Sequence, residues 1–277
     1  RQGSAHRDGS QEVTDRFEAR FGQKLSKGQK LFVAYIGAGV PGPDESVEVA
    51  LELAKLGVDC IEFGIPFSDP YGDGAVNQAA AEVGIAKGVT IPVYFDLIKK
   101  IRAKTDIPLV AFGYSNPVWH YGVEKFASEA AQAGIDAVLL VDIPVEESDD
   151  LDRACAKHGI ATTFLTAPTT PAKRLAAIAK RARGFVYHVS RTGVTGEQTS
   201  LSGTLGAEVA LVKAAVKPPV VVGFGLNTPE QVREVCAIAD GAVVGSAIVR
   251  RTLQDKPLEA ILQDIRELVG PLVEAAK

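Results

Sequence analysis

An α/β fold of eight parallel strands, each leading into a helix, is what this sequence predicts, and three observations carry it. β-Branched and apolar runs recur at 31–36, 58–65, 108–114, 137–143, 161–165, 185–190, 220–224 and 241–245. Helical patterns fill the intervals, at 46–55, 93–103, 123–133, 146–157, 171–182, 205–215 and 229–237, with a last one at 258–275. The strand-like runs are almost continuously apolar rather than alternating, as strands covered on both faces must be. Eight such repeats in about 250 residues is the count of a (β/α)8 barrel, the TIM barrel. A doubly wound sheet would normally need fewer units, and no Gly-rich dinucleotide fingerprint follows the first run.

The chain opens with a polar stretch, 1–9, that lacks an apolar signal core and reads with the next few residues as a loose tail over 1–13. The chain holds no methionine, so its first residue is not expected to be the native start. TDRFEARF, 14–21, predicts a short extra amphipathic helix with Thr14 as N-cap and Glu18 in its body. Everything from 14 to 277 is then expected to form one barrel domain. At 46% hydrophobic residues the chain can bury a large core, and its net charge of −4 leaves no footprint for nucleic acid or an anionic membrane. Cys60, Cys155 and Cys236 show no metal or redox spacing, and an odd count argues against a disulfide framework, which points to the cytoplasm. No apolar run approaches the roughly 18 residues of a membrane-spanning helix.

In a barrel, chemistry gathers where strands end. The second run carries one interruption, Glu62, a carboxylate among apolar neighbours. Pro66 and Pro70 stop the strand, and Gly72 and Gly74 bracket a second acid, Asp73, in a loop free to bend. One acid is therefore on a rigid element and the other on a mobile one. Strand alternation puts Cys60, Glu62 and Gly64 on one face, which we take as inward because an outward Glu would be jammed against helices without a partner. The same rim collects Tyr35 after the first run, Tyr114 and Asn116 after the third, Asp142 after the fourth, and Tyr187 with Arg191 after the sixth. His188, one step from Tyr187, should face the helices as a structural histidine. No His/Cys/carboxylate cluster has metal-ligand spacing. A phosphate handle is expected at the loop 190–196, at Gly223 to Gly225, and at Gly245-Ser246 leading into a short helix, since barrels hold phosphate with backbone N–H groups of these last loops.

IEFGIPFSDPYGDG, VLLVDIPVEES, YHVSRTGVTG, VVVGFGLNTPEQV and VVGSAIV together resemble the tryptophan synthase alpha chain family, in order from about residue 14 to the C-terminal helix. The resemblance implies a lyase of tryptophan biosynthesis that cleaves indole-3-glycerol phosphate to indole and glyceraldehyde 3-phosphate without a cofactor. It also implies a partner, a pyridoxal-phosphate-dependent beta chain joined in an alpha2beta2 complex. On the family's pattern Glu62 is the general acid/base, Asp73 the loop acid that meets the indole N–H, and Tyr187 an active-site tyrosine. Thr195 meets Asp73 on loop closure, Gly196, Gly225, Gly245 and Ser246 bind the phosphate, and Tyr35 and Tyr114 line the substrate. Two motifs depart from the pattern: Gly37 to Pro41 stands for T-A-G-D-P, and Tyr71 to Ala75 for L-A-D-G-P. The alternative is a catalytically weak homologue that chiefly binds and activates a beta chain.

Overall fold

The computed structural model describes residues 16–189, 203–223 and 225–277. Among them nine parallel strands form a nearly closed TIM barrel, confirming the predicted fold class: β1 Leu31–Gly37, β2 Cys60–Gly64, β3 Leu109–Gly113, β4 Ala137–Leu140, β5 Ala161–Thr162, β6 Phe164–Thr166, β7 Val186–Val189, β8 Val220–Gly223 and β9 Gly241–Val244. The order β5-β4-β3-β2-β1-β9-β8-β7-β6 makes every pairing that of a barrel. The ninth strand is a break in the predicted fifth. At Thr163 the ladder changes partner, so β5 pairs with β4 and β6 with β7. The Thr163 amide still donates to Val138 O at 3.0 Å, and its hydroxyl turns to Arg183 O at 3.4 Å.

Two apolar layers follow from the alternation of strand side chains. The larger lies between sheet and helices and includes Phe32, Ala34, Ile36, Ile61, Phe63 and Val186. The smaller fills the barrel with Val33, Cys60, Val110, Leu139, Val221 and Val243. Its floor is the N-terminal helix, which brings Phe17 and Phe21 against Phe185, with ring centroids 5.1 to 6.2 Å apart. That helix runs past its expected end at 21, through a π-turn at Glu18–Gly22 to Gln23–Leu25. Thr14, its expected cap, lies outside the described residues.

Helices Val123–Ala133, Leu205–Ala215 and Leu258–Ala275 have the predicted bounds, and Ser246–Thr252 is the short helix expected after the last strand. Two helices carry no sequence expectation, Ala75–Ala86 and Ser115–Tyr121. The first is rich in Ala with a weak apolar stripe and no capping side chain. The second opens Ser-Asn-Pro, which reads as a turn. Its free N–H groups are met from outside: Asp142 accepts from the Ser115 amide at 2.8 Å and its hydroxyl at 2.7 Å.

Candidate active site

Glu62 sits inside the barrel in the middle of β2, between Tyr35 of β1 and Val110 of β3 in register. It is 1% exposed, and its Oε1 has no hydrogen-bond partner among the described residues. Burial alone pushes its pKa up to about 8, because a carboxylate without donors or cations is far better solvated by water than by this cavity. At neutral pH Glu62 is therefore a proton donor.

Asp73 is held in the opposite way. It lies just before the helix Ala75–Ala86, and its Oδ2 accepts from the Tyr114 hydroxyl at 2.9 Å while its Oδ1 accepts from Asn77 Nδ2 at 3.1 Å. The Tyr114 hydroxyl also accepts from the Gly72 amide at 3.1 Å, and Gln78 Nε2 donates to Asp73 O at 2.8 Å. Burial raises the Asp73 carboxyl above its ordinary range, and the Asn77 and Tyr114 donors pull it back by favouring the ionised form. Tyr114, expected to line the substrate, has a buried side chain whose hydroxyl also holds the loop acid. Tyr71, 70% exposed, lays its ring 5.6 Å from that of Tyr114, and Phe67 lies 5.4 Å from it, so aromatic contacts rest the loop on the barrel.

Tyr35 and Tyr187 face the cavity from β1 and β7, and each lies over a glycine of the next strand. A Cβ on Gly64 would come within 2.5 Å of the Tyr35 hydroxyl, and one on Gly223 within 2.1 Å of the Tyr187 hydroxyl. The two phenols need those gaps. Burial, with Glu62 and Asp73 as negative neighbours, pushes both hydroxyls up in pKa, so both remain neutral donors. That role of the two glycines could not be read from sequence, where Gly64 is one more small residue at a strand end and Gly223 belongs to the expected phosphate handle. Asn77 was also missed, although an amide four residues beyond an acid at a helix start is a recognisable pairing.

Of the expected phosphate binders, Gly225 has a φ of +69°, which suits glycine, and Gly245 and Ser246 stand where β9 passes into its short helix. Thr195 and Gly196 lie outside the described residues. His188 faces away from the cavity, as expected, with Nδ1 3.0 Å from Thr166 Oγ1 and Nε2 3.5 Å from Glu208 Oε2. Burial lowers its pKa, opposed by Glu208. Among the described residues no group of His, Cys, Asp and Glu could hold a metal ion, and no helix is long and apolar enough to cross a membrane.

Comparison with known proteins agrees with this geometry. The family model of the tryptophan synthase alpha chain matches residues 21–277. The alpha chain of Citrifermentans bemidjiense is 44% identical over 235 residues, covering 85% of this chain and 88% of that one. That of Opitutus terrae is 40% identical over 264 residues, covering 95% and 99%. Among solved structures, tryptophan synthase subunit alpha from Legionella pneumophila aligns with a TM-score of 0.86 at 34% identity over 94% of this chain and 98% of that one. A tryptophan synthase structure from Mycobacterium tuberculosis gives 0.86 at 32% over 94% and 98%. A resemblance first seen in five short motifs thus extends over nearly the whole length and the whole fold, and the chain belongs to the tryptophan synthase alpha chain family.

Proposed function

We propose that Glu62, Asp73 and Tyr187 carry out the lyase reaction of this family, cleavage of indole-3-glycerol phosphate to indole and glyceraldehyde 3-phosphate. The observation that supports it most is Glu62, a sealed carboxyl in the mouth of the barrel whose Oε1 has no partner among the described residues and which is protonated at neutral pH. Retro-aldol cleavage needs a proton delivered to indole C3, and such an acid can deliver it. Positive charge then develops on the ring nitrogen, where ionised Asp73 stabilises it. That charge is absent in the ground state, so the contribution is to the transition state. The glycerol C3′ hydroxyl loses its proton to the Glu62 carboxylate just formed, the C3–C3′ electron pair returns to the indole, and an aldehyde is left. Tyr187 is a neutral donor on the same face. Gly225, Gly245 and Ser246 hold the phosphate end with the loop that bears Thr195 and Gly196. Both acids are in place, which supports a working lyase over a subunit kept only for binding.

A beta chain docked on the same rim, in an alpha2beta2 complex in the cytoplasm, would receive the indole. The test is indole release from indole-3-glycerol phosphate by the purified chain, with and without a beta chain. Release in either condition is the expected result, and none in both overturns the reading.

A further inference from the structure

We propose that Asn77 is a positioning residue for the cleavage reaction, fixing the Asp73 carboxylate from the first turn of the helix that follows the loop. This inference deepens the function proposed above and rests on it. Asn77 is 8% exposed and donates from Nδ2 to Asp73 Oδ1 at 3.1 Å. Its own Oδ1 is buried without a hydrogen-bond partner among the described residues. A buried, half-satisfied amide is unfavourable for folding, and an apolar residue would serve packing better. The side chain is accounted for by the acid it touches. The reverse amide orientation would set the Asn77 oxygen against a carboxyl oxygen, so Nδ2 is the atom that faces Asp73 Oδ1.

The geometry explains how a flexible loop presents its acid in one orientation. Residues 65 to 74 are irregular, and the Asp73 amide donates to Pro70 O within them at 2.9 Å, but three ties reach Asp73 from outside: Oδ1 to Asn77, Oδ2 to Tyr114 and its carbonyl oxygen to Gln78. Two of the three ties come from the helix Ala75–Ala86 and move with it. Among the described residues the titratable groups sharing the cavity with Asp73 are Tyr35 on β1, Glu62 on β2, Tyr114 after β3 and Tyr187 on β7, and none of these supplies positive charge. Neutral donors are therefore what offsets the burial of this carboxylate among the described residues, and Asn77 is one of two. Removing it should leave Asp73 harder to ionise and free to turn about the Tyr114 bond.

Asn77→Leu and Asn77→Ala test this, because they change the volume in opposite directions and share only the loss of the donor. The Asp73 carboxyl would be followed by carbon-13 NMR in aspartate-labelled protein, with its signal assigned by Asp73→Asn. In both variants its midpoint should rise by about one pH unit. The acidic limb of kcat/KM should move up with it, and kcat should fall about tenfold while KM changes by less than about twofold. The melting temperature of the Leu variant should fall by no more than a few degrees at neutral pH, since removing an unpaired buried oxygen offsets part of what the harder ionisation of Asp73 costs. An Asp73 midpoint and a kcat unchanged in both variants would overturn the proposal. So would a loss of turnover that tracks the folded fraction while the Asp73 titration stays put. If the parent chain releases no indole with or without a beta chain, the activity assignment fails, and the Asp73 titration still decides for or against Asn77.

Discussion

Asp59 and Glu62 lie three residues apart, one just before β2 and the other in the middle of it, both are sealed from water, and their surroundings are opposite. Asp59, at the N-terminal end of the barrel, meets Arg20 Nε at 3.0 Å, Lys24 Nζ at 2.8 Å and the Phe32 amide at 2.9 Å. Asp136, at the same end, is met by Arg16 at 2.9 Å, Arg102 at 2.7 Å and the Leu109 amide at 2.8 Å. Glu62, further along β2 toward the mouth, has no cation and no donor for Oε1 among the described residues. Burying a charge is expensive unless it is paired, so the first two acids are paired and the third protonates instead. The floor of the barrel neutralises its charges and holds the N-terminal helix in place. The mouth leaves one carboxyl unsatisfied, and that is the carboxyl able to move a proton.

The sharpest way to break this comparison is Glu62→Gln. If the mouth is built for chemistry, indole release should fall by about 10²–10⁴-fold, measured by steady-state kinetics. Stability should rise. The folded-state pKa, about 8, lies above the unfolded value near 4.5, so the folded protein binds this proton more tightly. The linked stability is fully present below the unfolded pKa, declines as pH rises, and is lost by pH 8. Gln cannot ionise, so the variant should gain up to about 4 kcal/mol over the parent at pH 8 and nothing at pH 4, as read by urea unfolding at both values. In the parent, kcat/KM should fall as pH rises through 8, where Glu62 loses the proton it must donate.

Asp59→Ala is the counterpart at the floor. It orphans the Phe32 amide and releases Arg20 and Lys24, both of which can turn toward water. A loss of about 2–3 kcal/mol is expected, with kcat per folded molecule unchanged. A drop in kcat with no drop in stability would reverse the roles of the two ends.

Two glycines sharpen the same contrast at smaller amplitude. A Cβ on Gly241, where β9 starts, would lie 2.5 Å from Leu31 O, so Gly241→Ala must displace backbone. A Cβ on Gly223, where β8 ends, would strike the Tyr187 side chain, its hydroxyl at 2.1 Å and its nearest ring carbons at 2.7 and 3.0 Å, rather than backbone. Gly241→Ala should cost about 1–3 kcal/mol of stability, and Gly223→Ala should lower kcat/KM about tenfold with a melting temperature near that of the parent. Equal stability losses in the two would show that Tyr187 is packed rather than poised.

The two ends also differed in how far the sequence disclosed them. Strand runs, the inward face of β2 and the outward turn of His188 were all legible, because alternation and apolar continuity are local signals. So was Glu62, since one acid in an apolar run needs a reason. What stayed hidden depends on through-space partners. The pairing of Asp59 with Arg20 and Lys24 spans the helix-to-strand gap, and nothing in the order of residues marks it. Nothing marks the bond from the Tyr114 hydroxyl to Asp73 either, since the two residues lie 41 positions apart. The break at Thr163 replaces one strand with two and leaves no mark in a run of Thr and Phe. The helix Ala75–Ala86 was missed because alanine carries helix propensity without an apolar stripe.

The smallest effect concerns the loop that joins a rigid acid to a tied one. Against L-A-D-G-P, this chain has Gly72 and Ala75 around Asp73, and both changes enlarge the ensemble of the open loop. The structure separates the two sites. A Cβ at Gly72 would approach the Tyr114 hydroxyl at 3.2 Å, close enough to press on the bond that holds Asp73. Ala75 is the first residue of its helix, where proline's fixed φ suits the turn and its missing N–H is no loss. Gly74 before it is already extended, with φ −78° and ψ 167°, as a residue preceding proline should be. Ala75→Pro should therefore raise stability by about 0.4–1 kcal/mol and leave the Asn77 and Tyr114 bonds intact. Indole release by the isolated chain should rise by a few-fold at most, and activation by a beta chain should shrink in proportion. The added Gly72→Ala should cancel that gain rather than extend it, because it crowds Tyr114. If the double variant outruns Ala75→Pro alone, loop entropy limits turnover more than the placement of Asp73 does.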